Sequence, residues 1–368
     1  MGKPKKIIVA PLNWGLGHAT RCIPIIECLL NLNCEPVIAS DGAALLLLKK
    51  EFPLLTSIEL PSYDIKYPVK GKFFKLKILV NSLRIWRAIK SEQKTLNQII
   101  SEENIDLVIS DNRLGLYSNK VKSIFITHQL KVLSGSTTWL STKIHHTFIK
   151  KFSQCWVPDH SDSRLAGDLS QAKNESFKCV YIGPLSRFKK GSNSTKDIDL
   201  LIIISGPEPQ RSILEKKLLE EAQKFNGKVL LIAGKVQEKQ TVKTISNVTY
   251  CNYLTTAELQ KAYNRSSTVL CRSGYSSVMD LEKLGLKAFF IPTPGQFEQE
   301  YLAQYLEKKQ VAPYATQEDF EISLLDKLEN YSGFEHHNSS ITSMSSILET
   351  AFSSVKENSD PIPSSLST

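Results

Sequence analysis

Short apolar runs alternate with amphipathic stretches along most of this chain, and that alternation restricts the fold to parallel sheets covered by helices on both faces. In the first half the runs are KIIVAP (6–11), EPVIAS (35–40), LTSIEL (55–60), IDLVIS (105–110), KSIFIT (122–127), QCWVPD (154–159) and KCVYIGP (178–184). A long amphipathic stretch from about Leu76 to Glu103 separates the third run from the fourth. After Pro184 the pattern breaks at a polar segment, SRFKKGSNSTKD, and resumes with LLIIIS (200–205), KVLLIAG (228–234), NVTYCNYL (247–254), STVLCRS (267–273) and KAFFIP (287–292). At 368 residues the chain is too long for one typical core. The economical reading is α/β, with two Rossmann-like domains in series: 1–185, a linker at 186–198, and 199–335. Residues 336–352 read as a C-terminal helix packing back on the first domain, and 353–368 are too polar to bury and are expected to be disordered.

The stretch Cys271-Arg272-Ser273-Gly274-Tyr275-Ser276-Ser277-Val278-Met279-Asp280 joins the STVL strand to a helix. A strand that stops at Ser-Gly and opens a helix turns unpaired backbone N–H groups and a positive dipole end to the cleft, which suits a diphosphate. Asp280, two turns in, is placed for the hydroxyls of an attached ribose. At the end of the next strand, Pro292, Pro294 and Gly295 break the chain, and Gln296, Glu298, Gln299 and Glu300 crowd the loop. Amides and carboxylates there suit the hydroxyls of a sugar.

RSGYSSVMDLEKLG followed by IPTPGQFEQEYLA resembles the donor half of GT-B glycosyltransferases of the family 28, MurG-like type. The resemblance implies a GT-B fold, an interdomain active site and a nucleotide-sugar donor, usually a UDP-sugar. It makes 199–335 the donor domain and 1–185 the acceptor side. It also places the uracil ring at Tyr253 and Leu254, and donor phosphates or sugar at the first turn of the second domain, Ser205-Gly206. The family often has Glu at the ribose position, where this chain has the shorter Asp280, and the family's acceptor pattern is not reproduced.

The first domain opens with PLNWGLGHATRCIP after its first strand. Gly15 and Gly17 permit close backbone approach in the first βα turn, where open α/β sheets bind ligands. The nicotinamide fingerprint G-x-G-x-x-G fails, because its third glycine is Thr20. Gly-x-Gly-His resembles the acceptor-side loop of the MurG-like enzymes, and Gly15, Gly17, His18, Arg21 and Cys22 together resemble the opening of related UDP-sugar hydrolases. Asp111, Asn112 and Arg113 follow IDLVIS, and His128 and Gln129 follow KSIFIT. All these strand ends border one crevice, so His18, Asp111 and His128 are expected to converge. His18 reads as a general base oriented by Asp111, or as a helix cap or phosphate contact. Asp111 reads alternatively as a partner of Arg113, and His128 as a structural hydrogen-bonder. Asn13, Gly15, Arg113, His128 and Gln129 form the expected acceptor set, and Gly17 joins the donor set.

Other chemistries find little support. Cys22, Cys28, Cys34, Cys155, Cys179, Cys251 and Cys271 form no CxxC pair and no zinc spacing, and read as reduced thiols of a cytoplasmic protein. Asp197-Ile198-Asp199 spells DxD but precedes its strand, at the edge opposite the crevice, so no metal is expected. Ser205-Gly206-Pro207-Glu208-Pro209 lacks the ending of a P-loop. The opening MGKPKKIIVAP reads as a first strand and not a signal peptide, and no run approaches ~18 apolar residues.

The net charge of +9 is modest, but between Asp64 and Glu92 basic residues interleave with aromatics and no acid occurs. Residues 66–90 are read either as a segment for an anionic membrane surface, at the inner face of the cell membrane, or as a solvated basic helix. No nucleic-acid recognition motif accompanies the charge. The function expected is an inverting, metal-independent glycosyltransferase without cofactor, moving a sugar from a nucleotide-sugar to a hydroxyl acceptor, with a lipid-linked acceptor as the membrane-linked alternative. A UDP-sugar hydrolase and a non-catalytic nucleotide-sugar-binding subunit stay open beside it.

Overall fold

The computed structural model describes residues 3–63, 74–162, 164–173, 176–191, 195–235, 239–334 and 343–353, with side chains of the 74–102 helix from Arg84 onward. The N-terminal sheet comprises β1 (Lys6–Pro11), β2 (Glu35–Ser40), β3 (Ser57–Glu59), β4 (Leu107–Asp111), β5 (Lys122–Ile126), β6 (Gln154–Val157) and β7 (Cys179–Tyr181). It runs in the order β3-β2-β1-β4-β5-β6-β7, and its pairs are parallel. Its helices are α1 (Gly17–Asn31), α2 (Gly42–Glu51), α3 (Phe74–Glu102) and α4 (Thr138–Ile149). Alternation along β1 explains why the strand is apolar throughout. Ile7 and Val9 pack with Cys22, Ile25 and Ile26 of α1, while Ile8 and Ala10 pack with Leu96 and Ile99 of α3.

The second sheet is built from β8 (Ile198–Ile203), β9 (Val229–Ile232), β10 (Val242–Ile245), β11 (Val248–Cys251), β12 (Ser266–Cys271) and β13 (Lys287–Phe290), in the order β10-β11-β9-β8-β12-β13. Its helices are α5 (Gln210–Ala222), α6 (Thr256–Arg265), α7 (Tyr275–Leu284) and α8 (Phe297–Lys308). β10 pairs antiparallel with β11 at the edge, a strand the apolar pattern does not signal, because Val242, Lys243 and Thr244 are exposed. A capping box between Thr255 and Glu258 starts α6. In each sheet the strand order reverses direction next to the first strand, at β1/β4 and at β8/β12, where doubly wound folds open a ligand crevice.

One apolar cluster runs through both domains, joining Ile23 and Ile26 of α1 to Val278 and Leu281 of α7 and to Leu302 of α8. Each such buried side chain contributes ~1.5–3 kcal/mol, against ~0–1 kcal/mol for an exposed ion pair, so this seam dominates the closed arrangement. The connecting chain adds polar ties: Arg187 donates to Thr256 Oγ1 at 2.8 Å and lies 3.8 Å from Glu51 of α2.

A last helix, α9 (Met344–Ser353), buries Ile347, Leu348 and Ala351 beside α1. Lys122 Nζ donates to Ala351 O at 2.9 Å, and Lys5 Nζ lies 4.2 Å from the Phe352 ring centre. The tail expected to be disordered lies outside the described residues beyond Ser353.

Candidate active site

The β1/β4 register, Pro11 opposite Asp111, puts the start of α1 and the end of β4 side by side. Residues three apart on a helix share a face, so His18 and Arg21 both turn to Asp111. His18 Nδ1 lies 2.8 Å from Asp111 Oδ1, and Arg21 grips the same carboxylate through Nε and Nη2. Arg21 Nη2 also stands 2.9 Å from His18 Nδ1. The Nη2 protons have the Asp111 carboxylate as their acceptor, and the same carboxylate accepts the proton of Nδ1, which leaves His18 Nε2 as the ring's lone pair.

The charges agree with that assignment. Burial pushes the His18 imidazolium down, and Arg21 adds to this, while Asp111 opposes both; the net shift is below the usual histidine value. Burial alone would raise Asp111, but Arg21 and His18 outweigh it and hold the carboxyl at about 2.

His128, just past β5, continues the set. Its Nδ1 is 3.3 Å from Arg21 Nη1 and its Nε2 is 2.8 Å from Glu298 Oε1, on the first turn of α8 in the other domain. Gln129 Nε2 donates to the second Glu298 oxygen. The His128 ring stacks on Tyr275 at 4.0 Å between centres, and the Tyr275 hydroxyl donates to Pro158 O.

Across the cleft, β12 ends at Cys271 and Gly274 precedes α7. The first intrahelical bond of α7 runs from Val278 N to Gly274 O, so the N–H groups of Tyr275, Ser276 and Ser277 precede the ladder. A side chain at Gly274 would meet nothing within 4 Å, whereas a methyl at Gly17 would lie 2.5 Å from Ser276 Oγ. The loop carrying His18 therefore rests on the N-terminus of α7. Gly15, in the same loop, also faces open space.

The loop after β13 is organised by its amides. Gln299 Oε1 accepts from Thr293 N at 2.9 Å, Gln299 Nε2 donates to Gln296 Oε1 at 2.7 Å, and Glu300 Oε1 accepts from Gly295 N at 2.8 Å. Gly206, exposed beside Ser205 after β8, faces Thr293, whose buried hydroxyl has no hydrogen-bond partner. Tyr253 and Leu254 lie half-buried beyond β11. Asp280 is turned to the connecting chain, where Ser186 Oγ donates to it at 2.6 Å. Burial pushes its carboxyl up to about 7, against the lowering effects of Ser186 and Arg187.

Several expectations need correction. Arg113 is fully buried and spends its donors on Glu92, Asp41 and the carbonyls of Pro61 and Pro11, so it braces the scaffold and cannot reach an acceptor or Asp111. Asn13 bonds Asp41 and the backbone N–H of Ala44 at the start of α2, which removes its amide from the acceptor set. Arg272 is buried against the carbonyls of Ile291, Pro292 and Gln210 and the Gln317 side chain, and burial lowers it to about 10; it fastens the sugar-side loop instead of meeting a donor. The Ser273 hydroxyl donates to Gln299 O, and the Tyr275 ring points into the first domain, so only their backbones face the cradle.

Arg21 belongs to the quoted GxGH motif yet was not among the expected site residues, and its spacing of three from His18 is the signal that would place it there. Thr293 and the trans-domain pairing of Glu298 carry no local sequence signal, since both depend on how the domains meet. Asp197 pairs with Arg265 and Asp199 accepts from Lys228 N, both at the start of β8 and away from the crevice. Among the described residues, no three His, Cys, Asp or Glu side chains gather to hold a metal ion.

Two Rossmann-like domains in series, with convergent groups between them, make the GT-B fold. Residues 203–357 match the glycosyltransferase family 28 C-terminal domain. The chain is 24% identical over 204 residues to the UDP-N-acetylglucosamine–N-acetylmuramyl-(pentapeptide) pyrophosphoryl-undecaprenol N-acetylglucosamine transferase of Haemophilus ducreyi, covering 53% of this chain and 54% of that one. It therefore spans about half the length of that relative. The Haemophilus influenzae protein of the same description is 23% identical over 290 residues, covering 74% of this chain and 77% of its own. Among solved structures, the spinosyn forosaminyltransferase SpnP superposes with a TM-score of 0.65 at 13% identity, covering 96% of this chain and all of that one, 100%.

Proposed function

We propose that this chain transfers a sugar from a nucleotide-sugar, a UDP-sugar by likeness to the named relatives, to a hydroxyl acceptor with inversion at the anomeric carbon. The observation that carries the reading is the contact between the two half-sites. The loop bearing a half-buried, neutral His18 on Asp111 rests on the open N-terminus of α7 at Ser276. In the proposed step the acceptor oxygen attacks the anomeric carbon as its proton passes to His18 Nε2. The bond from that carbon to the diphosphate oxygen breaks, and the leaving electrons stay on the diphosphate. The N–H groups of Tyr275, Ser276 and Ser277 and the α7 dipole take the leaving charge, the role a metal fills in other folds. Gln296, Gln299 and Glu300, with Thr293 and the Ser205-Gly206 turn, face the sugar and phosphates. Tyr253 and Leu254 hold the base, and Asp280 reaches the ribose once Ser186 yields it. Gly15, His128 and Gln129 border the acceptor.

The acceptor is proposed to be lipid-linked, with the enzyme peripheral at the inner face of the cell membrane. No described helix is long and apolar enough to cross a membrane. Residues 66–73 of the basic segment lie outside the described residues, but Arg84, Arg87 and Lys90 are exposed on α3 around Trp86, itself 51% exposed. α4 adds a second such face: Trp139, Leu140 and Ile144 are exposed there. Lys143 and Lys150 lie beside Trp139, with Lys131, which pairs with Asp168 at 3.3 Å, and no acid occurs from His128 to Pro158. A cavity of about 730 Å³ opens between these lysines and Trp139.

The test is product analysis with labelled UDP-sugars, with and without a membrane extract, in buffer containing EDTA. Label passing to an extractable acceptor in EDTA supports the reading. Free sugar formed equally without acceptor assigns the chain to the hydrolases, and donor binding without turnover makes it a binding subunit.

A further inference from the structure

The second carboxylate of the cleft comes from the opposite domain. Glu298, on the first turn of α8, accepts from His128 Nε2 at 2.8 Å and from Gln129 Nε2. Donor counting fixes the proton positions. Arg21 Nη1 faces His128 Nδ1 and can only donate, so Nδ1 accepts and the ring proton sits on Nε2, aimed at Glu298. On its other side Arg21 clamps Asp111, which receives the Nδ1 proton of His18. The cleft thus holds an unbroken alternation from Glu298 through neutral His128, cationic Arg21 and anionic Asp111 to neutral His18. One end belongs to the donor-side domain and the other is the base.

We infer that Glu298 is a positioning residue that ties the basicity of His18 to the donor-side domain: held on His128, its carboxylate is a second negative charge that offsets the positive charge of Arg21 beside His18. This inference rests on the reading of His18 as base. Burial, Arg21 and His128 oppose a charge on His18 while Asp111 favours it, and the coupling of Glu298 with His18 adds a second favouring carboxylate. Glu298 is itself held below its ordinary value against the effect of burial, through the hydrogen bond from His128 and the positive charge of Arg21. The other groups around the base are neutral. The Cys22 thiol, 3.7 Å from Asp111 Oδ2, is pushed well up by burial, and burial likewise raises the Tyr275 phenol beneath His128.

The test is Glu298→Gln in the full chain, which keeps the shape and removes the charge on a side chain 30% exposed. Nitrogen-15 NMR of histidine-labelled, ligand-free protein reads each imidazole, with His18→Ala and His128→Ala identifying the signals. In the wild type, His128 should show the Nε2–H tautomer and His18 the Nδ1–H tautomer. In Glu298→Gln the His18 midpoint should fall by about half a pH unit or more, because a nearby negative charge has gone. The acidic limb of the turnover profile should move down with it while the maximum rate drops. An unchanged His18 midpoint, or a His128 ring protonated at Nδ1, overturns the inference. Full turnover in His18→Ala would instead remove the base reading, and the NMR coupling would still be readable.

Discussion

Gly17 and Ser276 meet across the domain boundary so closely that a single methyl on Gly17 would sit 2.5 Å from the serine hydroxyl. Gly17→Ala should therefore push the His18 loop off α7. A displacement of a few tenths of an ångström should cost roughly 10-fold in turnover, since catalysis falls steeply with misplacement. Ser276→Ala in the same chain removes the clashing oxygen and should recover most of the loss. If the double variant is as slow as Gly17→Ala alone, the contact does not set the geometry.

His18→Ala should bind UDP with near wild-type affinity by calorimetry while turnover falls on the order of 100-fold or more. Asp111→Asn should also slow the reaction, because an amide can donate to Nδ1 and turn the ring's proton toward the acceptor. The Asn variant should further lose stability, since Arg21 would keep its buried charge without its carboxylate partner. Equal rates for all three proteins would end the role of the dyad.

Gly274 separates binding from folding. Its φ of −70° and ψ of 141° suit any residue, and open space faces it, so Gly274→Val should keep the melting temperature within about 2 °C. The new side chain should nonetheless fill the space of the diphosphate and lower UDP affinity by at least about 10-fold, roughly 1.4 kcal/mol. Unchanged UDP affinity in a folded Val variant would show that the phosphates lie elsewhere.

The fold was legible because its code is local. Alternating burial makes a strand such as Ile7-Ile8-Val9-Ala10 apolar on both faces, and every run named in the sequence became a strand of the two sheets. β10 escaped because an edge strand with Val242 in solvent has no buried face to write into its sequence. The site was legible where chemistry follows a glycine turn, as at His18 and Gly274. It was misread where polarity at a strand end served the scaffold: Arg113 and Arg272 look like ligand-binding cations, but each is enclosed by carbonyls and carboxyl or amide groups brought from distant segments. Such partners, Asp41 and Glu92 for one and Gln210 and Gln317 for the other, are set by tertiary packing.

Asp280 supplies a pH signature. Its folded-state carboxyl is raised to about 7 by burial, so the native chain keeps a proton that the unfolded chain has released above about 4. Stability should therefore be greatest at the acid end of this window and decline as pH rises from about 4 to 7, then level off. Asp280→Asn should abolish that decline and melt higher than wild type at pH 8, while weakening UDP binding if the ribose contact is real. A wild-type melting curve with no slope attributable to Asp280 would place the carboxyl in a wetter setting.

Membrane attachment should reside on α4 as much as on the basic stretch before it. Trp139, Leu140 and Ile144 offer apolar surface while Lys143 and Lys150 stand near lipid phosphates, each cation contributing about 1 kcal/mol close to an anionic surface. Trp139 is 68% exposed, so replacing it costs the core little. The wild-type chain should sediment with anionic vesicles at low salt, stay free of zwitterionic ones, and release as salt shortens the Debye length. Trp139→Glu with Lys143→Glu should lose most of that binding while UDP affinity, which depends on the other domain, is unchanged. If the double variant sediments like the wild type, α4 is an ordinary solvated face and attachment falls to α3. If the wild type itself fails to sediment at low salt, a soluble hydroxyl acceptor replaces the lipid-linked one.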